Sequence, residues 1–170
     1  MYGKILVPID GSEISTCGLN EAIKIAKSQG GHLRLLHVAN DRIWTCDSGE
    51  GTAGGNSIES TPEDGQNILS AAVRTARHEG LEVETILVES TNESAAALII
   101  ANAKDWPADL IVMGTHGRRG LRRLAMGSDA ECVVRGTTMP VLLVHGISRD
   151  SLSATETRPP EDASKRYVYA

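Results

Sequence analysis

Residues 109–117 read Asp109-Leu110-Ile111-Val112-Met113-Gly114-Thr115-His116-Gly117, an apolar run that stops on a glycine. Four consecutive apolar residues suit a strand buried on both faces, and burial on both faces marks a parallel sheet covered by helices. Similar runs stand elsewhere in the chain. Residues 4–9 (KILVPI) run into Asp10-Gly11-Ser12, residues 33–38 (LRLLHV) follow Gly30-Gly31, residues 81–88 alternate, and residues 140–145 (PVLLVH) close the series. Helical patterns separate them. Leu19, Ala22, Ile23 and Ala26 share one face of a first helix, and Thr61-Pro62-Glu63-Asp64 starts a second with a capping hydroxyl, a proline at the first position and acids in the first turn. Leu69, Ala72, Val73 and Ala76 form its apolar face, and Gly80 stops it. A third helix is expected over 93–104 and a fourth over 128–135.

Strands that alternate with helices require right-handed crossovers, so the expected class is doubly wound α/β, with helices on both faces of a parallel sheet. Ligands in such sheets sit beyond the carboxyl ends of the strands, where the strand order reverses. If the strand ending at Asp10 neighbours the one ending at Gly114, both tips face one crevice.

Composition narrows the field. The chain has 170 residues, 41% hydrophobic, with no Phe and a net charge of −5. A core of Val, Ile, Leu and Ala follows, and coating of nucleic acid by neutralising its phosphates is disfavoured. The three cysteines show neither CxxC spacing nor an even count, so neither a zinc site nor a disulfide framework is expected, and reduced thiols in a cytoplasm fit best. No charged leader or membrane-length apolar stretch is seen, which leads to the expectation of an untargeted protein without membrane contact. Residues 1–147 are read as one domain with a mobile loop at 40–60, and 148–170 as a polar, disordered tail.

Between the strand at 109–113 and the helix at 128–135 the glycines follow the spacing G-x2-G-x9-G-S, from Gly114 and Gly117 to Gly127-Ser128. Glycines let backbone N–H groups approach anionic oxygens, and a helix start adds unpaired donors and a dipole. With Gly at 17 of 170 residues, chance matches to this spacing number about 0.02. The bland alternative is that Gly114, Gly117 and Gly127 only make turns and close helix packing. No dinucleotide fingerprint or Walker loop accompanies them.

From Met1 to His145 the chain resembles a universal stress protein domain. The resemblance rests on KILVPIDGS, LRLLHV and ADLIVMGTHGRRGLRRLAMGSDAECVVRGTTMPVLLV, and the glycine spacing is the mark of that family's ATP-binding branch. It implies a five-stranded parallel sheet in the order 3-2-1-4-5. It also implies that Pro8, Ile9 and Asp10 border the ribose and adenine, that Val38 lies against the base, and that Met113 backs the nucleotide. Gly114, His116, Gly117, Gly127 and Ser128 would wrap the phosphates of ATP, or of ADP or AMP, with Mg2+ held mainly by the phosphates. The last strand, 140–145, would pair with its copy in a homodimer.

Asp129 departs from the family, many members of which carry a small apolar residue there. A carboxylate near phosphates is repulsive unless a cation offsets it, though it can equally cap the helix. Arg118, Arg119, Arg122 and Arg123 can steer a triphosphate or stay solvated, and the expectation is one or two near phosphate with the rest exposed. His116 reads as a hydrogen-bond donor, and Asp10 as a ligand contact whose alternative is a plain helix cap, a role open to Ser12 too. The function implied is an ATP-binding stress-response module with a regulatory role and an unidentified protein partner. The alternatives are a weak ATPase or phosphoryl-transfer enzyme, for which no catalytic constellation stands out, and a nucleotide-free scaffold.

Overall fold

The computed structural model describes residues 1–40, 62–90, 92–115 and 126–145. The first strand, β1, spans Lys4–Pro8, and its central residues Ile5, Leu6 and Val7 are fully buried. Burying each of these side chains contributes about 1.5–3 kcal/mol, more than the whole ~1 kcal/mol range of strand propensity, so tertiary burial decides this element. Helix α1, Glu13–Gln29, follows. It starts one turn before its apolar pattern because Ser12 caps it, the hydroxyl accepting from the Ser15 N–H at 3.0 Å. It ends at Gly30, whose φ of 65° is the left-handed conformation that glycine adopts without penalty.

Strand β2, His32–Asn40, leads to α2, Pro62–His78, and β3, Val83–Ser90. Leu81 was expected to open the third strand but belongs to the helix end instead. Its N–H donates to Ala76 O (3.0 Å) and that of Gly80 to Arg77 O (2.9 Å), with Gly80 at φ 80°. These two bonds satisfy the last carbonyls of α2 and delay β3. Helix α3, Ala95–Asp105, is capped by Ser94; β4 is Leu110–Gly114, α4 is Ser128–Gly136 and β5 is Val141–Val144.

All strands are parallel, in the order β3-β2-β1-β4-β5. The expected topology is therefore observed, with β1 and β4 in contact through Ile5↔Leu110 and Leu6↔Ile111. Successive side chains alternate between two packed layers. Ile5, Val7, Ile9, Leu33, Leu35, Leu110 and Val112 pack with the apolar faces of α1 and α2. Leu6, Leu36, Ile111 and Met113 pack with Ala96, Ile99 and Ala103 of α3 and with Ala130 and Val133 of α4.

Among the described residues no helix is long and apolar enough to cross a membrane. Cys17 is a free, half-buried thiol. Cys132 is half-buried in α4 and packs against the α3–α4 layer. The expected loop at 40–60 lies outside the described residues except for Asn40, and the tail at 148–170 lies wholly outside them.

Candidate functional site

The strand order reverses between β1 and β4: β1 connects through α1 to β2 on one side, and β4 connects through α4 to β5 on the other. This junction is the switch point at which a doubly wound sheet leaves a crevice. Side-chain alternation says which face of it is open to which residues. Val38 and Met113 pack in the α3–α4 layer, and Pro8 shares the face of Leu6, two residues before it. Met113 is buried, and Pro8 and Val38 are half-buried. Ile9 points the other way, into the α1–α2 core. Its backbone is engaged as well: the N–H donates to Leu36 O at 2.8 Å, and the carbonyl accepts from His37 Nδ1 at 2.6 Å.

Asp10 follows at the half-buried tip. Its Oδ1 accepts the Ser12 N–H at 2.9 Å, and Gly11 turns the chain at φ 82°. Ser12, not Asp10, caps α1, which separates the two readings of this pair.

The glycines of the spaced motif have different physical reasons. A Cβ on Gly114 would lie 2.7 Å from Ile14 Cγ2 and 3.1 Å from the backbone carbon and oxygen of Ile14. The first turn of α1 sits directly on this strand end, so close packing alone demands a glycine there. Gly18, one turn on, completes the contact, a Cβ at that position meeting Gly114 N at 3.4 Å. Gly127 is otherwise. Its φ of −61° and ψ of 148° are open to any residue, and as the N-cap of α4 it offers no side-chain hydrogen bond. A serine or aspartate there would supply one. Ser128 and Asp129 stand exposed in the first turn, with Glu131 behind them, so α4 carries acids that suit its own dipole.

The two ends of the segment between these glycines are tied together. Thr115, buried, donates its N–H to Val144 O at 3.0 Å and accepts the Gly127 N–H on its carbonyl at 2.7 Å. Its hydroxyl lies 3.1 Å from His145 Nδ1. Thr115 and Gly127 are therefore held side by side at the α4 N-terminus. His116, Gly117 and the arginines at 118, 119, 122 and 123 lie outside the described residues.

The geometry thus gathers Pro8, Asp10, Val38, Met113, Gly114, Gly127, Ser128 and Asp129 around the carboxyl ends of β1, β2 and β4 and the start of α4. Among the described residues no group of three or more His, Cys, Asp or Glu side chains clusters to hold a metal ion. Two residues at this end were not singled out from sequence, His37 and Thr115. The available signal was a histidine inside the apolar run LRLLHV and a hydroxyl directly after the Gly114 strand end.

The model of the Universal stress protein family matches residues 1–145. The chain belongs to the universal stress protein family. Universal stress protein YxiE of Bacillus subtilis is 34% identical over 156 residues, covering 85% of this chain and 99% of that relative. Universal stress protein MJ0531 of Methanocaldococcus jannaschii is 35% identical over 144 residues, covering 85% and 82%. Among solved structures, the universal stress protein from Archaeoglobus fulgidus in complex with dAMP superposes with a TM-score of 0.60 at 25% identity, covering 84% of this chain and 98% of that one.

Proposed function

We propose that this universal stress protein binds ATP in the crevice between the tips of β1 and β4 and works in the cytoplasm as a nucleotide-dependent regulatory homodimer. The observation that carries the reading is the meeting of Asp10, Met113-Gly114 and the α4 N-terminus at the strand-order reversal. The N-cap of that helix supplies no side-chain bond of its own. A helix start of this kind, beside glycine-rich backbone, suits anionic oxygens. The relative from A. fulgidus, whose structure is in complex with dAMP, supports an adenine nucleotide as the occupant.

In this reading the base and ribose lie against Pro8, Asp10, Val38 and Met113, with Ile9 contributing backbone only. The phosphates run along Gly114, His116, Gly117, Gly127 and Ser128. Asp129 carries its charge into the same neighbourhood, so a Mg2+ ion on the phosphates, which offsets that charge, belongs to the proposal. The homodimer would form on β5, a four-residue strand that among the described residues pairs with β4 along one edge. Edge strands of this kind are normally paired or covered.

Calorimetry with ATP, ADP and AMP in the presence of Mg2+ tests the reading, with Asp10→Ala and Gly117→Val weakening the binding seen for the native chain. Absence of ATP binding by the native chain sinks it. Phosphate release that persists and is abolished by His116→Ala would replace the regulatory reading with an enzymatic one.

A further inference from the structure

We infer that His37 is a positioning residue for the nucleotide site: its ring nitrogen holds the Ile9–Asp10 peptide, just beyond β1, so that Asp10 faces the crevice. The inference rests on the reading of that crevice as an ATP site. The ladder between β1 and β2 ends at the Ile9 N–H, which donates to Leu36 O. The next carbonyl, that of Ile9, is bonded to a side chain, His37 Nδ1 at 2.6 Å. A carbonyl can only accept, so Nδ1 carries a proton.

The carbonyl of Ile9 and the N–H of Asp10 belong to one planar peptide, and none of the described peptide bonds is cis. Fixing the carbonyl towards β2 therefore fixes the Asp10 N–H in the opposite direction, towards β4. The same constraint sets the Asp10 Cα, from which the carboxylate leaves. His37 is only 2% exposed, so it acts through this peptide and not by touching a ligand.

A second feature shows the fold shaped around this ring. Gly65 lies in the first turns of α2, where glycine costs about 1 kcal/mol against alanine. A Cβ at that position would stand 2.8 Å from His37 Cδ2 and 2.7 Å from Leu87 Cδ1. The helix gives up a side chain there and the imidazole keeps its place against the sheet.

The test uses the full chain with His37→Asn, His37→Gln and His37→Leu. Asparagine puts an amide N–H where Nδ1 stands; glutamine puts one at the Nε2 position, and leucine supplies none. Loss of one buried hydrogen bond to the peptide predicts ATP affinity about tenfold weaker in the Leu and Gln variants, with the Asn variant close to native. Amide exchange at Asp10–Ser12, followed without nucleotide, should speed up in the same two variants and not in Asn. Imidazole nitrogen shifts of the native protein should report protonation on Nδ1. All binding is read below each variant's melting temperature, with far-ultraviolet circular dichroism unchanged. Native-like ATP affinity in His37→Leu, or an Asn variant as weak as Leu, overturns the inference while leaving the ATP site intact. A native chain that binds no ATP overturns the site itself, and the role of His37 with it.

Discussion

The two ends of the sheet treat polar groups in opposite ways. At the amino end the protein satisfies its own charges. Asp109 Oδ2 accepts the N–H groups of Gly3 and Lys4, both at 2.9 Å, and Lys4 Nζ donates to Trp106 O at 3.3 Å. The Arg34 guanidinium lies 4.4 Å from the centre of the Trp106 ring and bonds Glu84, while Lys27 pairs with Glu79 at 2.8 Å. At the carboxyl end the conspicuous groups are strand tips, close-packed glycine and a helix start whose cap has no side chain. Ser12 and Ser94 cap α1 and α3 at this end, whereas α4 starts on Gly127, which brings no side-chain cap. The proposed nucleotide phosphates belong at that start.

The largest effect in this comparison is expected at Gly114. Gly114→Ala drives a methyl into Ile14 and costs about 1–3 kcal/mol by overpacking, read as a lower urea midpoint at unchanged slope. Since the contact includes the Ile14 backbone, Ile14→Ala cannot relieve it fully. A neutral Gly114→Ala would mean that packing is not the reason for this glycine. At the amino end, Asp109→Ala removes the acceptor of two backbone N–H groups and should cost about 1–2 kcal/mol, with Asp109→Asn costing less. ATP affinity should not change in either, and any fall would break the division between the ends.

Gly127→Asp separates stability from binding with opposite signs. The new carboxylate caps α4 and interacts well with its dipole, raising stability by a few tenths of a kcal/mol. It also enters the space assigned to phosphates, so ATP affinity should fall about tenfold. Gly127→Ser should give the cap with a smaller loss of affinity. A variant that gained stability and kept full ATP affinity would move the phosphates away from this helix.

Much of this division was legible in the sequence, for reasons that differ by residue. Strand runs such as KILVPI and DLIVM announce themselves because burial on both faces leaves no polar alternation to confuse them. The site end was legible where it depended on backbone: a glycine spacing survives in one dimension. The reason for each glycine did not, because Gly114 answers to Ile14 across the layer and Gly127 to nothing in its own conformation. His37 was missed for the same reason. Its partner is a carbonyl on a neighbouring strand, and only the register of β1 on β2 brings the two together. Leu81 was misplaced because a helix end and an alternating strand start compete for the same residue, and two backbone bonds decided for the helix.

The smallest expected effect belongs to the pair Lys27–Glu79, which ties the last turn of α1 to the end of α2 at the amino end. A hydrogen bond from Lys27, then its charge, and to a lesser degree neighbouring His78, hold the Glu79 carboxyl below its ordinary value of 4.5. A depressed acid stabilises the fold at pH above its unfolded value, and that contribution disappears as pH falls through the lower, folded one. Both side chains are close to half-exposed, so solvent and salt screen the pair. The native chain should therefore be slightly more stable than Glu79→Gln at neutral pH and low salt. The difference should close as pH drops below about 4.5, and high salt should close it at any pH. ATP binding at neutral pH should be the same in both, because this charge pair sits at the end of the sheet remote from Asp10. A change in affinity on removing Glu79 would mean that the two ends are coupled through α1, whose first turn presses on Gly114 while its last turn carries Lys27.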